Sequence, residues 1–237
     1  MHANRIMKHK SLIFDADNTL YKTDPKKAYE KQFSFLCKSL CLNRDALERE
    51  WKNILKTVVL SNSLVERSRQ FSLAKAVNAA LNGKRTCANE RSIEKAVKES
   101  IELFYEEVLR SGMDFSKKTP SMILRLKKKY NVFVASDEYR AFLEKKLSFV
   151  FGNMKDYFDG IVSCEDAGCL KPSKKFHEIL IEKYNLAPKN CTIIGDSWER
   201  DLKTAKQAGI TTVLVGTGEE GSPDFWIKEI GQLEGIL

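Results

Sequence analysis

Residues 11–21 read SLIFDADNTLY. An apolar run stops at Asp15, and a second acid, Asp17, follows two positions later. Two like charges at the end of a buried strand repel, and taking each out of water costs several kcal/mol unless a counter-charge offsets it. A cation held between them is one explanation. An ordinary surface turn built on Asp and Asn is the other. The choice depends on what the rest of the chain brings to the same place.

SLIF (11–14) has counterparts downstream. VFVAS (132–136), GIVS (160–163), CTIIG (191–195) and TTVLVG (211–216) are also brief, rich in β-branched residues and closed by Gly, Ser, Asp or Thr. Such runs suit parallel strands buried on both faces. Helix-like segments lie between the later ones: PSMILRLKKKY, YRAFLEKKLSFVF, SKKFHEILIEKYN and ERDLKTAKQAG. This alternation predicts an α/β fold with a doubly wound, mainly parallel, Rossmann-like sheet. Residues 22–117 contain no strand-like run. They read as amphipathic helices, PKKAYEKQFSFLCKSL, DALEREWKNILKTVV, LVERSRQFSLAKAVNAAL and NERSIEKAVKESIELFYEEVLR, broken around Asn43, Ser61 and Asn82 with Gly83. The expected organisation is a discontinuous core of 1–21 plus 118–237 and an all-helical insertion at 22–117, with hinges near 20–24 and 116–120.

The 237 residues are 43% hydrophobic, enough for one large core or a core and a smaller domain. No apolar run approaches the roughly 18 residues that suggest a membrane span. The basic N-terminus, MHANRIMKHK, lacks the apolar stretch of a secretory signal. A cytoplasmic protein with no membrane partner is expected. The net charge of +8 raises nucleic acid binding. However, the lysines come in short groups on helix-like segments (Lys26 and Lys27, Lys117 and Lys118, Lys127 to Lys129, Lys145 and Lys146, Lys174 and Lys175) and read as solvated faces. No specific nucleic acid partner is expected, and a positive field would favour encounter with small anions. Cys37, Cys41, Cys87, Cys164, Cys169 and Cys191 form no CxxC pair, and with His2, His9 and His177 they complete no zinc site. Reduced, mostly buried thiols are expected.

Ligands of open α/β sheets bind beyond the carboxyl ends of the strands. Asp15 and Asp17 follow SLIF, Ser136 ends VFVAS, and Asp196 follows CTIIG with Asp201 five residues on in GDSWERD. Lys171 stands in CLKPS ahead of a helix-like segment. Carboxylates suit a hard cation such as Mg²⁺. Lys and Ser donors can grip phosphoryl oxygens as charge spreads over them. An Asp left free to attack phosphorus would form an aspartyl-phosphate.

In this order, FDADNTL, VFVAS, LKPS and GDSWERD resemble the four motifs of the haloacid dehalogenase superfamily, over residues 12 to about 218. The helical block sits where that family carries a helical (C1-type) cap. The resemblance implies that Asp15 is the nucleophile and that Asp17 is the general acid and later the base, with its main-chain carbonyl facing Mg²⁺. It implies that Thr19 positions Asp17 or the motif loop, and that Ser136, Lys171 and Thr19 bind the phosphoryl group. Asp15, Asp17 and Asp196 would hold the metal, with Asp201 as a second acidic residue near metal-bound water or Lys171. Dehalogenases of the superfamily lack the second acid, because no alkoxide leaves in their reaction. Asp17 therefore points to the phosphatase branch. Asn18 replaces the commoner Gly, and DNTL followed by Tyr21 is similar to the nucleotidase-like branch. A cap implies a small phosphorylated substrate, a nucleoside monophosphate being one candidate. Asn18, Arg44 and Trp198 are candidate substrate contacts.

Three other readings stay open: a phosphotransferase or phosphomutase, a non-catalytic binding protein on the same fold, and a basic nucleic acid binder. The oligomeric state is not legible.

Overall fold

The computed structural model of the chain describes residues 10–58, 63–81, 89–217 and 221–237. The N-terminal stretch with His2 and His9, the helix breaks at Ser61 and at Asn82 with Gly83, and Cys87 lie outside the described residues. The chain forms two compact units, 1–22 with 114–237 and 23–113.

The first unit opens with β1 (Ser11–Phe14), and the chain leaves it within β2 (Lys22–Thr23). The second unit carries α1 (Lys26–Leu40), α2 (Arg44–Val58), α3 (Leu64–Arg67), α4 (Arg69–Leu81) and α5 (Glu90–Glu107). The chain returns within β3 (Met113–Asp114), which pairs with β2. These two-residue strands were not expected. Residues 116–120 belong to the first unit, where they lead into and open α6 (Lys118–Lys129).

The helical unit follows its apolar periodicity. α1 packs on α5 and α2 on α4, around Phe33, Leu36, Leu47, Trp51, Leu73, Val77 and Val97. Asn43 breaks the first pair of helices for a local reason: its Oδ1 accepts the main-chain N–H of Ala46 at 2.9 Å, satisfying an orphan donor at the start of α2. Buried Gln32 donates to the Ser100 carbonyl at 3.2 Å, so one polar group inside the bundle is satisfied.

After α6 the first unit continues through β4 (Asn131–Ala135), α7 (Arg140–Phe151), α8 (Met154–Tyr157), β5 (Gly160–Val162), α9 (Cys164–Ala167), α10 (Lys174–Lys183), β6 (Cys191–Gly195), α11 (Lys203–Gln207), β7 (Thr211–Val215) and β8 (Phe225–Ile227). The sheet is parallel throughout, in the order β5-β4-β1-β6-β7-β8. β1 is central and wholly buried, with Ser11 level with Asn131 on one side and Cys191 on the other. Connections diverge from β1 in both directions, and this switch point opens a crevice beyond the strand ends. β8 was not legible in the sequence: two of its three residues are exposed, as an edge strand permits.

No helix among the described residues is long and apolar enough to cross a membrane. Five described cysteines are free; Cys164 and Cys191 are buried, Cys37 and Cys169 half-buried. Cys41 departs from the expectation of buried thiols. It caps α1 in the left-handed conformation and is exposed.

Candidate active site

Asp15 and Ser136 each stand just past a strand, where the sheet still holds the backbone. The Asp15 N–H donates to the Ile194 carbonyl at 2.8 Å, and the Ser136 N–H to the Val162 carbonyl at 2.9 Å. Register thus carries Asp15 and Ser136 to the same edge. Asp15, Asp17, Asn18, Ser136, Asp196 and Asp201 line one cavity of about 430 Å³, with Asp137, Glu138, Ser197 and Arg200.

Lys171 organises its floor. Its buried ammonium lies 2.5 Å from Asp15 Oδ1, 2.5 Å from Asp201 Oδ1 and 3.3 Å from the Ala135 carbonyl. Burial pulls the Lys171 pKa down, but Asp15, Asp201 and Asp137 outweigh it and hold the ammonium charged. Burial pushes Asp15 up to about 7 against the attraction of Lys171, and Asp201 and Asp196 add to the rise. Asp201 also accepts the Ser197 N–H at 3.1 Å. Gly195 makes room for it, since a Cβ there would stand 2.7 Å from the Asp201 Cβ.

Carboxylate oxygens of Asp15, Asp196 and Asp201 lie within 4.8 Å of one another. An all-oxygen, multiply negative donor set fits a hard divalent cation such as Mg²⁺. So does the upward push on Asp15, which a cation would relieve. The Asp17 carboxylate is not in this group. It is held instead by Lys146, at 2.8 and 2.6 Å.

The remaining expectations divide. Ser136 is buried beside the cavity, and its Oγ accepts the Glu138 N–H at 3.1 Å. Asn18 has φ 63°. Asn tolerates this left-handed conformation better than other non-glycine residues, so it can stand where Gly is commoner for a backbone reason. Thr19 is buried, but its hydroxyl has no hydrogen-bond partner and so makes no bond to Asp17. Trp198 packs against the core beneath the sheet and against Gly221, and does not line the cavity. Arg44 belongs to the helical unit. There its guanidinium pairs with Glu48, bonds the Glu30 carbonyl and Ser34, and lies over the Phe33 ring.

Sequence reasoning missed four residues. Asp137 accepts the Lys171 N–H at 2.7 Å and pairs with Arg200 at 2.6 Å, tying two motif loops together. Adjacency to Ser136 and Asp201 was the available signal for Asp137 and Arg200. Glu138 follows directly in the same loop. Lys146 gave no signal, because the Lys145 and Lys146 pair reads as a solvated helix face; yet Lys146 is 1% exposed.

The fold and the residues gathered at this sheet edge point to one class of hydrolase. A profile of the haloacid dehalogenase-like hydrolases matches residues 9–209, and the chain belongs to that family. Glyceraldehyde 3-phosphate phosphatase of Methanocaldococcus jannaschii is 25% identical over 87 residues, a match that covers 34% of this chain and only 38% of that protein. The magnesium-bound HAD-hydrolase YfnB of Bacillus subtilis is similar in fold, with TM-score 0.66 and 19% identity over 97% of this chain and 99% of that one. An HAD phosphatase of Thermococcus onnurineus gives 0.65 and 18%, covering 96% and 97%. A 2-haloacid dehalogenase of Pseudomonas syringae gives 0.68 and 20%, covering 96% and 97%. Phosphatase and dehalogenase thus share this fold, and only the site distinguishes them.

Proposed function

We propose that the chain is a Mg²⁺-dependent phosphomonoesterase that hydrolyses a small phosphorylated metabolite through an aspartyl-phosphate. The observation that carries this reading is the second acid: Asp17 lines the same cavity as Asp15, two residues from it. Asp15 attacks phosphorus, the bond to the leaving oxygen breaks, and Asp17 gives that oxygen a proton. Asp17 then takes a proton from water, which attacks the aspartyl-phosphate and frees Asp15 and phosphate. Lys171 offsets the charge of the attacking carboxylate, and the Ser136 hydroxyl bonds a phosphoryl oxygen. Asp15, Asp196 and the main-chain carbonyl of Asp17 would hold Mg²⁺, which offsets carboxylate repulsion and phosphate charge, with Asp201 close by. Asp201 also orients Lys171.

The helical unit is inserted directly after the β1 loop, which supports its reading as the family's C1-type cap and favours a small metabolite over a phosphoprotein or nucleic acid end. The M. jannaschii relative is named for a small phosphate ester, in keeping with that class. A nucleoside monophosphate rests on the DNTL spelling and Tyr21, and the left-handed backbone at Asn18 supplies a competing reason for that spelling. The free thiols support a cytoplasmic setting.

Phosphate release across nucleotides, sugar phosphates and phosphoglycolate, with Mg²⁺ and with chelator, tests the function. Free phosphate marks hydrolysis, and a phosphorylated second product marks transfer. Asp15→Asn should lose turnover, and substantial activity in that variant overturns the nucleophile assignment.

A further inference from the structure

The Lys146 ammonium comes from α7, outside the four motifs, and lies 2.8 Å from Asp17 Oδ1, 2.6 Å from Asp17 Oδ2 and 3.2 Å from Glu138 Oε2. An ammonium has three N–H donors, and these three oxygens account for them. The side chain is buried, with its charge 4.8 Å from the centre of the Phe142 ring and 5.5 Å from that of Tyr21. Aromatic faces stabilise a cation in such a place and narrow its freedom to move. Lys146 does not line the cavity. It has neither a spare donor nor access for a substrate oxygen, and so acts through Asp17.

Its partners lie on two different loops. Asp17 follows β1, and Glu138 follows β4 beside Ser136, whose Oγ accepts the Glu138 N–H. Lys146 therefore ties the loop carrying the second acid to the loop carrying the phosphate-binding hydroxyl. A carboxylate gripped through both oxygens by one ammonium has a defined direction. A proton donor must lie within hydrogen-bond reach of the leaving oxygen, and small misplacements cost large factors in rate.

We propose that Lys146 is a positioning residue, whose ammonium, braced by Glu138, holds the Asp17 carboxylate in place for proton transfer to the leaving oxygen. The proposal rests on the phosphomonoesterase reading and on Asp17 as its proton donor.

The test compares Lys146→Met and Lys146→Arg with the wild-type full-length chain on two esters, an alkyl phosphate and p-nitrophenyl phosphate. The aryl leaving group departs without a proton, and the alkoxide does not. Lys146→Met should lower kcat/KM, which reports the steps up to departure of the alcohol, about 100-fold for the alkyl ester, in the range of a lost general acid, and less than about 5-fold for the aryl ester. Lys146→Arg should recover part of the alkyl rate. Equal losses of kcat/KM on both esters, or no loss on either, overturn the proposal. Crystal structures of wild type and Lys146→Met supply a readout that needs no turnover. The Asp17 carboxylate should leave its place in the variant, and an unmoved Asp17 overturns the proposal. A wild-type protein inactive on every phosphate ester defeats the phosphatase reading instead, and the crystal structures still decide whether Lys146 places Asp17.

Discussion

Lys171 Nζ stands 2.5 Å from Asp15 Oδ1, although 156 residues separate them in sequence. The contact is buried, so each charge depends on the other. Replacing Lys171 by Met leaves Asp15 and Asp201 buried together without their cation. Breaking a buried pair in this way costs about 3–5 kcal/mol. Thermal melts of Lys171→Met should fall accordingly, and Mg²⁺ should restore part of the loss. A variant as stable as wild type, with or without Mg²⁺, contradicts this account.

Asp196 lies in the acidic group with Asp15 and Asp201. A cation that binds only the folded chain raises stability by mass action, about 2.7 kcal/mol at 100 times its Kd. Mg²⁺ should raise the wild-type Tm, and Asp196→Asn should need much more Mg²⁺ for the same shift. Identical Mg²⁺ titrations of the two proteins would remove Asp196 from the metal site.

Gly195 ends β6 against Asp201, and an added Cβ would meet the Asp201 Cβ at 2.7 Å. The neighbour is a short, buried side chain that also holds Lys171. Gly195→Ala should therefore cost about 1–3 kcal/mol through overpacking and lower phosphatase turnover as Asp201 and Lys171 shift. Wild-type melting and turnover in Gly195→Ala would show that the site can absorb the methyl group.

His177 is buried on α10, and its Nε2 has no hydrogen-bond partner. Burial, aided by the charge of Lys171, pushes its pKa down to about 4. The unfolded chain takes up this proton near pH 6.5. The folded pKa is thus the lower one, so the contribution is intact above about pH 6.5 and is lost as pH falls toward 4, by about 3 kcal/mol in all. The Tm of His177→Phe should fall less steeply over that window than the wild-type Tm. Parallel curves would rule out His177 as a source of acid sensitivity.

The legible parts of the fold share one physical property. β1 and β6 are buried and close to continuous in apolar residues, so local composition alone marks them. β8 pairs only with β7 and leaves Phe225 and Trp226 exposed, so its residues carry no such mark. Asp15, Ser136, Asp196 and Lys171 were legible because each directly follows a recognisable run or precedes a helix. Trp198 and Arg44 were poorly legible, since an aromatic or a guanidinium looks the same whether it meets a ligand or packs on its own unit.

The sequence by itself determined the alternation that builds a parallel sheet, the helical insertion after the first strand, and the two acids at the end of SLIF. It also supplied Asp17, the second acid on which the proposed phosphatase reading rests. Only the tertiary structure decided what each charge meets. Lys146 reaches Asp17 across 129 residues, although its pair with Lys145 looks like a surface feature. Nothing near a lysine in sequence tells a solvated ammonium from a buried one. That distinction comes from the carboxylates that parallel register and helix packing place around it.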